Sequence, residues 1–114
     1  MSDEIRLEYG GISAEVMAHQ EGGTYAVGNT KAELNVTWNY NVFFREHLDE
    51  KGLDYLCGKK AKDTIEKLEI ALENLNGFKP NDNYWKPTAG NARKVLEILL
   101  EWAQLHPSAI WKVF

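Results

Sequence analysis

The period of the apolar residues changes once along this chain, near residue 41, and that change sets the fold class. Before it the apolar residues alternate. Ile5, Leu7 and Tyr9 interleave with Glu4, Arg6 and Glu8, and Leu34, Val36 and Trp38 interleave with Glu33, Asn35 and Thr37. After it they recur every three or four residues: Phe44 and Leu48, then Ala61, Ile65, Leu68, Leu72 and Leu75, then Ala92, Val95, Leu96, Leu99, Trp102 and Ala103. Period two marks a half-buried strand, and a period near 3.6 marks a helix with one buried stripe. Ala109–Phe114, short, aromatic and β-branched, reads as a last strand. Strands, three helices and one strand describe an α+β domain with its helices on one face of a small antiparallel or mixed sheet.

Turn chemistry places the elements more closely. Gly10-Gly11 suits a two-residue hairpin turn, which needs positive φ. Folding there pairs Tyr9 with Ile12, Leu7 with Ala14 and Ile5 with Val16, and sets Arg6 opposite Glu15. Residues 19–31 have two readings: a second tight turn at Gly22-Gly23 with Thr24–Val27 as a returning strand, or a long loop of the kind that often carries function. Asn41 suits an N-cap for a short helix. Gly52 suits the left-handed residue after that helix, laying Leu53 on Leu48. A longer helix is expected over 60–75, with Asp63 and Glu66 as a capping box and Asn76-Gly77 as its end. Thr88 caps a third helix that runs to about Leu105, where Pro107 stops it.

At 114 residues, with no internal repeat, low-complexity tract or linker, the chain is expected to form one domain, residues 1–114. It is 44% hydrophobic and 26% charged, which excludes disordered and collagen-like chains. The longest apolar run is a triplet such as Ile98-Leu99-Leu100, far short of the roughly 18 residues of a membrane span. An acidic start, Met-Ser-Asp-Glu-Ile-Arg, and a single cysteine, Cys57, fit a cytoplasmic chain. The net charge of −4 is uneven. Residues 1–50 carry nine acids and three bases, a net −6, whereas 51–114 carry ten bases and eight acids, a net +2. Such a surface repels phosphate, so duplex nucleic acid is not an expected partner; Lys59, Lys60 and Lys62 read as a solvated helix start, the alternative being a contact with a phosphate or an acidic partner.

Catalytic chemistry finds little support. Cys57 lies near Lys59 and Lys60, which favour a thiolate, but no histidine is placed beside it, and burial is the commoner fate of a free cysteine. His19, His47 and His106 lack metal-ligand spacing, and His106 suits the negative end of a helix dipole. Gly23–Thr30 imitates a phosphate loop but has Asn29 where the mechanism needs lysine. Glu66, Glu69 and Glu73 alternate with Lys62 and Lys67 as ordinary surface ion pairs. The expectation is no enzyme, no catalytic residue, no metal and no cofactor.

Two stretches stand out. Trp38, Asn39, Tyr40 and Asn41 mark the strand-to-helix junction, and Tyr84, Trp85, Asn91 and Arg93 mark a loop-to-helix junction. Flat aromatic surface beside amides that donate and accept is the usual material of a recognition site. Helix-start amides at Ala89 and Gly90 suit an anion. In the plainer reading the amides cap and turn the chain, and the aromatics fill the seam between sheet and helices.

Both stretches carry a resemblance. Glu33-Leu34-Asn35-Val36-Thr37-Trp38-Asn39-Tyr40, followed by Phe43 and Phe44, and later Trp85, Gly90-Asn91-Ala92, Leu99-Leu100, Trp102-Ala103 and His106-Pro107, resemble an uncharacterised family of small proteins from phages, prophages and mobile elements. The resemblance covers roughly residues 32–113. It implies a setting, the bacterial cytoplasm during phage or prophage expression, and no mechanism. In that setting the expected function is a non-enzymatic accessory protein that binds a host protein or a small nucleotide-like ligand, for example as a counter-defence inhibitor. The alternative is a structural or assembly protein acting as a homo-oligomer.

Overall fold

A computed structural model describes residues 2–20, 27–77 and 89–114. Its elements are strands β1 (Ser2–Tyr9), β2 (Ile12–Ser13), β3 (Glu15–Gln20), β4 (Val27–Lys31), β5 (Glu33–Thr37) and β6 (Ile110–Val113), with helices α1 (Asn41–His47), α2 (Ile65–Asn74) and α3 (Ala89–Leu105). The architecture is α+β, as the change of period requires.

β1 is the centre of the sheet. On one side it pairs antiparallel with β6, Leu7 opposite Trp111; on the other it pairs antiparallel with β5, Ile5 opposite Leu34. Ile5, Leu7, Leu34, Val36 and Trp111 form one buried face, and the helices lay Phe44, Leu68, Leu96, Leu99 and Trp102 onto it. All six residues of the expected α3 stripe are buried. Among the described residues, no helix is long and apolar enough to cross a membrane.

The first hairpin forms only at its turn. Gly10 and Gly11 take positive φ, Tyr9 pairs with Ile12, and the Ala14 N–H bonds the Leu7 carbonyl. Beyond that point the expected pairings of Ile5 with Val16 and of Arg6 with Glu15 do not occur. β5 takes that edge of β1 because it offers five consecutive partners, with Leu34 and Val36 turned to the core. Arg6 pairs instead with Glu4, and Glu15 with Lys31. The displaced chain forms a separate β3–β4 ribbon, so 19–31 contains a strand pair rather than a long loop. Its return strand is Val27–Lys31, not 24–27; Gly22, Gly23 and Thr24–Ala26 lie outside the described residues. Val16–Ala18 lie opposite Thr30 alone, a bulge that leaves Val16 buried and Met17 exposed.

Other local expectations shift by a few residues. Asn41 is the first residue of α1, not its cap; the capping hydroxyl is that of Thr37, which accepts from the Asn39 N–H at 3.3 Å and opens a 3₁₀ turn over Trp38–Tyr40. Gly52 has φ +62° as expected but opens a second 3₁₀ turn, Gly52–Leu56, instead of closing α1. Residues 61–63 form a third 3₁₀ turn, and α2 starts only at Ile65. Asp63 and Glu66 form no capping box. Thr64 at the cap position makes no cap bond, because its buried hydroxyl donates to the Ala61 carbonyl (2.7 Å) and accepts from the Trp111 indole N–H (2.9 Å). The Thr88 cap falls outside the described residues.

A surface ion pair joins α2 to the segment after α1. The Lys67 ammonium, 2.6 Å from Asp49 Oδ1, holds that carboxyl below the usual carboxylate range, helped by the Lys51 N–H; Asp49 in turn raises Lys67. A depressed carboxyl stabilises the fold above its unfolded pKa, and that contribution fades as pH falls through the folded value. Asp49→Asn is therefore expected to destabilise at neutral pH and to match the parent only in acid strong enough to protonate the depressed carboxyl in the folded state. Urea titrations across that range check it; a difference that persists in acid contradicts the pairing.

Candidate functional site

The two ends of β1 differ in character. At its C-terminal end His106, just past α3, closes the helix with its backbone N–H on Trp102 O, while its ring points to the sheet. Nε2 lies 2.6 Å from the Glu15 carbonyl and Nδ1 lies 2.9 Å from the Tyr9 hydroxyl. A carbonyl only accepts, so Nε2 carries the proton, and in the neutral ring Nδ1 accepts from Tyr9. The ring thus pins the root of the ribbon. Its side-chain hydrogen bonds run to Tyr9 and Glu15 and not to the last carbonyls of the helix. His106→Ala is expected to cost about 1–2 kcal/mol and to speed hydrogen exchange at Ala14 and Ala32 before the rest of the sheet.

With α3 anchored by its C-terminus there, its N-terminal turns run toward the other end of β1, where Ser2 pairs with Thr37 and the Trp38–Tyr40 turn packs against α3. The turn that carries the first stretch thus packs against the helix that carries Asn91 and Arg93 of the second. Tyr84 and Trp85 lie outside the described residues.

The four residues of the first stretch divide. Tyr40 is fully buried and meets Phe44 edge to face at 6.3 Å, so it serves the core and offers nothing to a ligand. Asn41 is half-buried. Trp38 is 45% exposed and Asn39 is exposed. The indole N–H of Trp38 donates to Asp3 Oδ1 at 2.9 Å, so its polar edge is tied to β1 and its apolar surface is presented outward. Val42, one helical turn on, is 58% exposed. On α3, Asn91 is buried and Arg93 pairs with Glu97 one turn later.

Sequence reasoning missed Val42 and Asp3. Val42 was detectable as an apolar residue off the Phe44–Leu48 stripe; Asp3 was not, because only the β1–β5 register brings it to Trp38.

Candidate chemistry elsewhere is sparse. Cys57 is exposed rather than buried, with its thiol 3.9 Å from the Val113 carbonyl. The strand-like segment around Lys59 and Lys60 lies along the edge of β6 and leaves the thiol outside the core. The Lys59 ammonium is engaged by the Tyr55 carbonyl at 2.6 Å. Among the described residues, no three of histidine, cysteine, aspartate or glutamate converge as metal ligands. No protein-family model, curated protein or solved structure matches this chain.

Proposed function

We propose that this protein is a small binding module that engages a host protein through the surface built on Trp38, Asn39 and Val42, in the cytoplasm of a bacterium expressing a phage or prophage. One observation carries the reading: an exposed tryptophan whose N–H is already satisfied stands one turn from an exposed valine. Large aromatic surface held in a fixed orientation is the usual anchor of a protein interface. An adjacent apolar residue on a helix suits a protein surface better than a nucleotide, which needs a concave pocket with convergent polar groups. The setting rests on the resemblance across residues 32–113, and a counter-defence inhibitor is the form of host binding that the setting favours.

The test is affinity capture from a bacterial lysate with the parent protein, Trp38→Ala and Val42→Asp, followed by native mass spectrometry of the eluate. The expected result is a stoichiometric protein complex with the parent alone, while both variants keep the parent's melting temperature. A complex unaffected by both substitutions moves the interface elsewhere. A retained molecule of nucleotide mass, or a homo-oligomer as the sole species, replaces this reading.

A further inference from the structure

The anchor of that surface is also charged. Asp3 accepts the Trp38 indole N–H with Oδ1, and among the described residues it makes no ion pair and no other side-chain hydrogen bond. A carboxylate that has no counter-ion among the described residues thus adjoins an indole that is 45% exposed. These are the two halves of a cation receptor: the indole face attracts a cation through its quadrupole, more strongly than any other aromatic side chain does, and the carboxylate accepts its N–H groups. Several of the protein's own cations are engaged elsewhere. Arg6 holds Glu4, Lys31 holds Glu15 and Arg93 holds Glu97. The net −6 of residues 1–50 adds a long-range field of the same sign.

Resting on the reading above, we infer that the Trp38–Asp3 pair receives an arginine or lysine side chain of the partner protein, with Asp3 both positioning the indole and supplying the charge. One ring and one carboxylate make a weak site for a free amine. Val42, four residues after Trp38 and 58% exposed, favours a cation carried on a chain with an apolar neighbour, so the occupant is a basic, apolar-flanked segment of a protein.

Three acetylated peptide amides test this: Leu-Arg-Gly-Leu-Arg, the same peptide with lysine for arginine, and the same with citrulline, which keeps the shape of arginine without its charge. The readout is the indole N–H resonance of Trp38, assigned through Trp38→Phe. The expected result is a saturable shift with the arginine or lysine peptide and at least tenfold weaker binding of the citrulline peptide. Asp3→Asn, which retains an acceptor for the indole, should weaken the cationic peptide about tenfold and leave the citrulline peptide unchanged. Equal binding of citrulline and arginine peptides overturns the cation receptor while leaving an apolar interface standing. Undiminished binding to Asp3→Asn, or no shift with any peptide, overturns it too, and the lysate capture then judges the broader reading independently.

Discussion

Trp111→Ala is expected to lower the unfolding free energy by about 3–5 kcal/mol, the usual cost of removing a large aromatic side chain from a core. Trp111 is fully buried in β6, opposite Leu7 of β1, and its backbone also bonds residues 58 and 59 along its outer edge. Its indole N–H ends on the Thr64 hydroxyl, so one residue ties the sheet to the start of α2. Small domains are stable by only about 5–15 kcal/mol, so the variant should be largely unfolded at moderate urea. Trp111→Phe isolates the polar part. In a double-mutant cycle with Thr64→Val it should show coupling of about 0.5–3 kcal/mol, and strict additivity would show that the indole–hydroxyl bond contributes nothing.

Phe44→Ala is the second large effect, again about 3–5 kcal/mol, with a consequence at the surface. Phe44 is fully buried in α1, and Tyr40 stands edge-on against it from the turn that carries Trp38. Emptying that position removes the support on which the turn rests. Hydrogen exchange should therefore rise first over residues 38–47, and partner affinity should fall even where the chain remains folded. Ile98→Ala, partly buried at the core's margin, serves as the control: it should destabilise less and leave affinity unchanged.

Element types were legible because each rests on local periodicity. The alternation around Ile5, Leu7, Leu34 and Val36, and the stripe from Ala92 to Ala103, are each satisfied by one face of one element. What sequence could not show was the choice between competing strands. Glu15 and Val16 suit the edge of β1 nearly as well as Glu33 and Leu34 do, and only the whole sheet decides that β5 takes it and β3 leaves. Thr64 illustrates the same limit. Its neighbours Asp63 and Glu66 spell a capping signal, but the hydroxyl is recruited by a tryptophan 47 residues away.

The candidate site was legible by composition rather than geometry. Aromatic and amide residues mark the Trp38–Asn41 junction, yet whether each ring faces in or out depends on the turn. One residue of rotation separates exposed Asn39 from buried Tyr40. Asp3 was invisible from the sequence because its partnership with Trp38 spans 35 residues.

The position of β1 bears on the order in which the molecule assembles. Glu4 and Phe114 exchange backbone hydrogen bonds in both directions, so the central strand is flanked by a segment synthesised long after it. Until residues 110–114 have left the ribosome, β1 can recruit β5 on one side only, and its other edge stays open. Closing so long a loop is entropically slow compared with forming the helices in between. The nascent chain therefore holds preformed helices against half a sheet, and an open strand edge of that kind is what a chaperone or a neighbouring nascent chain would seize.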